Sequence, residues 1–270
     1  MRIGLSTYAL NWAFGVPGYP VEEPLTLPAF LELAEKWGYE GVQIADNAPL
    51  LDLSQSERRD LWKQAQELSL FVEIGGRGLV EDNWERHLEI AREAESPILR
   101  FVIDGPDFEP TVEDLPRILE KAAARCADSG VILAIENHDR FHAHQFADWF
   151  EQIGSPYLGL CLDSVNSYGC GEGFRETIDA LAPYTVNFHL KDFRVRRQPY
   201  MLGFLIEGTP AGEGLLPLRS ILDQLGEYGK CQSVIVEHWT APEATVEASI
   251  RKETEWCQRS IHNLKTKYIK

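Results

Sequence analysis

Val131-Ile132-Leu133-Ala134-Ile135-Glu136-Asn137-His138-Asp139 is an apolar run that ends abruptly in a carboxylate, an amide, an imidazole and a second carboxylate. A near-continuous apolar run of this length predicts a strand covered on both faces, as in a parallel sheet. In parallel α/β architectures ligands bind beyond the carboxyl ends of the strands, so Glu136 marks the expected site. The fold then turns on whether other strands end the same way.

Outward from this stretch, strands are predicted at residues 3–9, 41–46, 70–74, 98–103, 131–136, 158–162, 185–192 and 233–236. Apolar residues at helical spacing predict helices at about 26–38, 54–69, 82–95, 112–129, 144–153, 174–181 and 217–228, with a last one from about 242. Thr26 caps the first helix, Pro28 sits in its first turn and Gly38 stops it, while Ser54 and Glu57 form a capping box for the second. Eight strands alternating with eight helices predict an α/β fold, a (β/α)8 TIM barrel, as a single domain over residues 1–270. A doubly wound open sheet competes, but Gly4 stands alone where a dinucleotide fold carries GxGxxG.

A chain of 270 residues fits one barrel and buries enough surface to need no staples. Five cysteines, an odd number without a CxxC pair, point to a reduced, cytoplasmic protein. The chain enters a strand directly and holds no long uninterrupted apolar window, so neither a leader peptide nor a membrane partner is expected. A formal net charge of −16 repels polyanions, so nucleic acid is not an expected partner, and solubility is the plainer meaning of that charge.

In such a barrel the ends of strands five to eight bring Glu136, Asp163, His189 and Glu237 to one face. Three carboxylates and an imidazole in one cavity repel one another, and a divalent cation is the common remedy. One Mn, Mg, Co or Zn ion fits such a donor set, and the sequence does not choose among them. Singly, each residue has a plainer reading: a helix cap, a salt-bridge partner, a hydrogen-bonded strand histidine. The joint pattern favours a metal site.

The strand ends Ala134-Ile135-Glu136-Asn137-His138, Leu160-Cys161-Leu162-Asp163, Phe188-His189-Leu190-Lys191-Asp192 and Val236-Glu237-His238, with the glycine-rich 208–214, resemble the xylose isomerase-like TIM barrel superfamily over essentially the whole chain. Within it the likeness is to the sugar phosphate isomerase/epimerase group, which includes ketose 3-epimerases, hydroxypyruvate isomerases and inosose dehydratases. The resemblance implies that Glu136, Asp163, His189 and Glu237 hold a divalent metal. It implies an isomerase or epimerase of a sugar or keto-polyol, working by proton transfer through a metal-bound cis-enediolate with Glu136 and Glu237 as the acid/base pair. Loss of a β-hydroxyl on the same apparatus gives the alternative, an inosose- or dehydroshikimate-dehydratase-like enzyme. Asn166 stands where many members carry a histidine; an amide can donate to a substrate hydroxyl but cannot act as a base.

Lys191 shares a strand face with His189 and has two readings, a catalytic cation beside the enediolate or a salt bridge to Asp163 or Glu237. His138, Asn166, Arg100, Asp104, Arg194 and Trp12 are the candidate substrate contacts, although Arg100 is equally read as half of a buried ion pair. The loop at 11–24 is a candidate binding loop, and the long segment after strand seven, with Arg194, Arg196, Arg197, Tyr200 and Phe204, is a candidate lid. Two further classes compete: an endonuclease IV-like repair enzyme, which needs more histidines than are present, and a non-catalytic sugar-binding subunit. Barrels of this group often pair, so a homodimer or homotetramer is the expected assembly.

Overall fold

Local signals start and stop the elements where the sequence places them. Thr26 Oγ1 accepts from Ala29 N, Gly38 takes a left-handed conformation with φ of 87°, and the Ser54/Glu57 capping box is formed. The structure, a computed structural model, describes residues 1–269. In chain order the elements are β1 (Arg2–Ser6), α1 (Asn11–Phe14), α2 (Leu27–Trp37), β2 (Gly41–Ile44), α3 (Gln55–Glu67), β3 (Phe71–Arg77) and α4 (Glu81–Glu93). They continue as β4 (Ile98–Val102), α5 (Leu115–Ala127), β5 (Ile132–Glu136), α6 (Ala143–Ile153), β6 (Leu158–Asp163), α7 (Phe174–Leu181) and β7 (Thr185–Leu190). The remainder is β8 (Asp192–Arg197), β9 (Phe204–Thr209), α8 (Leu218–Tyr228), β10 (Ser233–Val236) and α9 (Val246–Asn263).

Eight parallel strands close into a barrel in the order β1-β10-β7-β6-β5-β4-β3-β2, and β8 and β9 form a separate antiparallel pair. The (β/α)8 barrel is therefore the observed fold. Register fixes which side chains meet: Glu136 pairs with Cys161 and Asp163 with His189, so β5, β6 and β7 deliver their last polar residues to the same rim. Apolar residues on the helices, such as Phe30 of α2, Trp84 of α4 and Phe146 of α6, are fully buried between the barrel and its outer ring. The barrel interior is less uniform. Gln43, Glu73, Asn187 and Ser233 are all buried there, where layers of branched apolar residues are the rule. Burial pushes the Glu73 carboxyl above its usual range, and hydrogen bonds from Ser233 and Gln43 oppose the rise.

Several boundaries differ from expectation for local reasons. The first strand stops at Ser6, whose hydroxyl accepts from Tyr8 N and turns the chain into a 3-10 turn over Thr7–Leu10. The last helix starts at Val246, capped by Thr245. The strand expected at 185–192 ends at Leu190, and Asp192 begins the hairpin that replaces the expected lid loop. Asp192 is buried and its carboxylate gathers the 212–216 loop: Oδ2 accepts from Gly212 N and Gly214 N, and Oδ1 from Phe193 N and Leu216 N. Gly214 must be glycine, since a Cβ there would lie 2.1 Å from Asp192 Oδ1.

The expected binding loop at 11–24 is anchored instead of free. Glu253 of α9 accepts from Trp12 N at 2.9 Å and Ala13 N at 2.7 Å, capping the short α1 from a buried position. Burial pushes the Glu253 pKa up to about 8, against the two backbone donors that favour its anion. A carboxyl raised on folding contributes stability below its unfolded pKa and loses it as pH rises through the folded value. Stability measured by denaturant melts is therefore expected to decline between about pH 4.5 and 8, and Glu253→Gln is expected to flatten that decline.

Candidate active site

Four strand ends supply the acidic and imidazole groups, and neighbouring residues fix each of them. Glu136, at the end of β5, receives Arg100 Nε on Oε2 at 2.5 Å and Asn166 Nδ2 on Oε1 at 2.7 Å. Asp163, at the end of β6, accepts on Oδ1 from Val165 N and Asn166 N, which leaves Oδ2 to the cavity. Asn137, alternating with Glu136, points the other way and clamps the backbone of Asp163 through its N–H and its carbonyl. Glu237, one residue past β10, takes Ser6 Oγ on Oε1 at 2.7 Å. All three carboxylates are essentially without solvent contact.

Two buried cations balance them. Lys191 Nζ lies 2.7 Å from Asp163 Oδ2 and 3.0 Å from Glu237 Oε2, so the salt-bridge reading of Lys191 holds for both partners named from sequence. Burial alone would lower the Lys191 pKa, but Asp163, Glu237 and Glu136 raise it well above the usual amine range. Arg100 joins Glu136 to Asp46, whose Oδ1 is 3.5 Å from its Nη1. Burial would raise the Glu136 pKa, yet the neighbouring groups, Arg100 first among them, together outweigh it and hold the carboxyl well below the ordinary range. Removing one partner of such a pair typically costs about 3–5 kcal/mol, because the other charge is left uncompensated.

His189 closes the constellation. Its Nε2 is 2.7 Å from Gln43 Oε1, and its Nδ1 faces Glu136 Oε2 at 3.1 Å and Glu237 Oε1 at 3.4 Å. Neither carboxylate is aligned as a hydrogen-bond partner, so Nδ1 is a buried nitrogen with no hydrogen-bond partner, and Asp163 Oδ2 has only the Lys191 ammonium beside it. The donor atoms of Asp163, His189 and Glu237 all lie within 4.8 Å of one another. An unpartnered imidazole nitrogen converging with carboxylate oxygens fits a divalent cation, with those oxygens and the one imidazole as its ligands. Glu136 falls in a second group of this kind with His189 and Cys161, whose thiol is turned to Asn187 Oδ1.

Two cavities open above these residues. A cavity of about 330 Å³ is lined by Tyr8, Trp12, Lys191, Glu237 and Trp239. A larger one of about 640 Å³ lies under the β8–β9 hairpin and is lined by His138, Asn166, Arg194, Ile206, Trp239 and Trp256. Of the two, only the smaller touches Lys191 and Glu237, and Trp239 borders both.

Of the substrate contacts expected from sequence, His138, Asn166, Arg194 and Trp12 line these cavities. His138 is paired with Asp139, Arg194 with Glu207 and the Trp12 indole with Thr240 O. Arg100 is buried beneath them as the partner of Glu136. Asp104 lies in neither cavity; a bidentate pair with Arg140 holds it outside. Sequence reading passed over Glu73 and gave Gln43 no role. Their signal was a polar residue inside each of two apolar strands, and the register sets them opposite one another.

Comparison with known proteins agrees with this fold. A 3-oxo-isoapionate decarboxylase from Pectobacterium atrosepticum is 32% identical over 267 residues, 99% of this chain and 96% of that protein. Among solved structures, a D-psicose 3-epimerase crystallised with D-fructose superposes with a TM-score of 0.73 at 15% identity, covering 98% of both chains. A probable 3-DHS dehydratase of petrobactin synthesis from Bacillus anthracis gives 0.71 at 12% identity, over 99% of this chain and all of that one. The sequence profile of the family described as xylose isomerase-like TIM barrel matches residues 31–260. The chain belongs to the xylose isomerase-like TIM barrel family.

Proposed function

We propose that the chain is a divalent-metal-dependent enzyme that removes carbon dioxide from a 3-oxo sugar acid, with Glu136, Asp163, His189 and Glu237 as metal ligands. The observation that carries this reading is the bonding of Glu136: whereas Glu237 is paired with the Lys191 amine, the oxygens of Glu136 are taken by the Asn166 amide and the Arg100 guanidinium, neither of which releases a proton. A carboxylate held in this way is a fixed anion and a poor proton shuttle. Epimerisation asks two groups to remove and return a proton on opposite faces of one carbon. Decarboxylation asks for an electron sink at the carbonyl and a single proton returned afterwards. The full-length likeness to a decarboxylase at 32% identity supports the same choice.

A divalent ion held by Glu136, Asp163, His189 and Glu237 would supply the electron sink for the substrate's carbonyl. The chain's own residues do the rest. Arg100 and Asn166 keep Glu136 ionised and aimed. Lys191 Nζ neutralises charge as it develops on substrate oxygens, in a site where few waters compete. The carbon that loses carbon dioxide takes one proton, and Lys191 Nζ and Glu237 Oε2, 3.0 Å apart, hold it. Trp12 and Trp239 wall the cavity and exclude water from that carbon.

A second reading, the isomerase or epimerase expected from sequence, is favoured by one observation: Glu136 and Glu237 face each other across His189 Nδ1. Under it the same two glutamates exchange a substrate C–H proton, and a dehydratase differs only in expelling a hydroxyl.

Protein purified without chelator is expected to carry about one divalent ion per chain by plasma mass spectrometry, lost in Asp163→Asn and Glu237→Gln. The loaded enzyme is expected to release carbon dioxide from 3-oxo sugar acids in heavy water and to leave one deuterium on the product carbon. Deuterium entering a ketose without carbon dioxide release would transfer the conclusion to the second reading. Protein that binds no divalent ion and gains no activity from added manganese would sink both. Lys191→Met is expected to lower kcat by about 10²–10⁴-fold while the metal content stays unchanged.

A further inference from the structure

Beneath the candidate metal ligands, a closed hydrogen-bond network crosses the barrel interior from β3 to His189. Glu73 Oε1 accepts from Ser233 Oγ at 2.5 Å, and Glu73 Oε2 accepts from Asn187 Nδ2 at 2.8 Å and Gln43 Nε2 at 3.1 Å. Asn187 Nδ2 also reaches Ser233 Oγ at 2.7 Å, which sends that hydroxyl's own hydrogen to Glu73. Asn187 Oδ1 takes the Cys161 thiol and a second contact from Gln43 Nε2 at 3.3 Å. Every contact of Glu73 is one in which it accepts, as a carboxylate must. The five residues are fully buried, so no water competes for these positions.

This network has a direction, and it follows from donor and acceptor chemistry alone. The atom of Gln43 that faces an obligate acceptor is its NH2. The atom left for His189 is therefore its carbonyl oxygen, 2.7 Å from Nε2. A carbonyl only accepts, so Nε2 carries the hydrogen and Nδ1 of the neutral ring carries the lone pair. That lone pair is the unpartnered one among Glu136, Asp163 and Glu237. The opposite amide orientation would present NH2 to Nε2, move the ring proton to Nδ1 and remove the imidazole from the donor set.

We propose that Glu73 and Gln43 are positioning residues, a relay in which the Glu73 carboxylate orients the Gln43 amide and the amide fixes His189 as the Nε2–H tautomer. The proposal rests on the metal-site reading above for its purpose, though not for its geometry. Outer partners of this kind set ring orientation and ligand basicity, and their loss typically weakens metal binding by about 10–100-fold.

The test reads the tautomer and the metal separately. In metal-free protein, at a pH where the imidazole is neutral, nitrogen NMR of His189 assigned against His189→Gln is expected to report Nε2 protonated and Nδ1 bare. Glu73→Gln, isosteric and uncharged, is expected to give mixed tautomers and to weaken Mn2+ binding by about 10–100-fold, with the circular dichroism unchanged. Combining E73Q with Q43E puts a carboxylate opposite Nε2 and is expected to restore the single tautomer. A single Nε2–H tautomer and unaltered Mn2+ affinity in E73Q would overturn the relay. Should E73Q fail to fold, Gln43→Met decides: the acceptor is gone, and a tautomer that stays single overturns the proposal. Wild-type protein that binds no Mn2+, while its tautomer still follows Glu73, would retire the metal reading and leave the relay standing.

Discussion

Three carboxylates cannot share the mouth of a dry barrel unless each is held and balanced, and the architecture of this rim follows from that constraint. The solution divides the work between the two oxygens of a carboxylate. Asp163 spends Oδ1 on two backbone N–H groups and turns Oδ2 to the cavity. Glu237 gives Oε1 to Ser6 and Oε2 to Lys191. Glu136 differs in the kind of partner, with Asn166 on one oxygen and on the other the Arg100 guanidinium, which does not give up a proton. That difference in partner separates a charge that stays from one beside a transferable proton, and it is why the proposed chemistry is asymmetric across the site.

The barrel was legible because its signals are local and repeated: apolar runs of strand length, caps such as Thr26 and Ser54, and polar residues at strand ends. Glu136, Asp163, His189 and Glu237 could be read together because register carries equivalent strand positions to one rim. Asp104 sat at an equally suggestive position, yet its partner Arg140 lies 36 residues away, and no local pattern announces that pair. Gln43 and Glu73 were illegible for a related reason. A polar residue within a strand looks like a solvent-facing position until closure of the sheet turns that face inward. The hairpin β8–β9 was hidden by its composition, since arginines and large apolar residues alternate there without a tight turn signal.

That hairpin is a two-stranded sheet outside the barrel, and such pairs are marginal on their own. Cross-strand charge supports it: Arg194 and Arg196 both reach Glu207, and Arg197 stacks over Phe204. Its root is held where Gly208 packs so closely on Trp239 that a Cβ would lie 2.0 Å from the indole. Trp239 in turn borders both cavities, so the roof over the larger and the wall of the smaller are joined through one side chain.

The loop gathered around Asp192 bears on which substrates the barrel can take. In many barrels the backbone N–H groups that follow the seventh and eighth strands form a phosphate cradle. Here the amides of Gly212, Gly214 and Leu216 already point at an anion, and that anion is the chain's own carboxylate. An incoming phosphoryl group would find these donors taken and a negative charge in their midst. The corner of the rim where such a cradle would sit is thus closed by the chain's own counter-charge, which ties the loop to the foot of the hairpin.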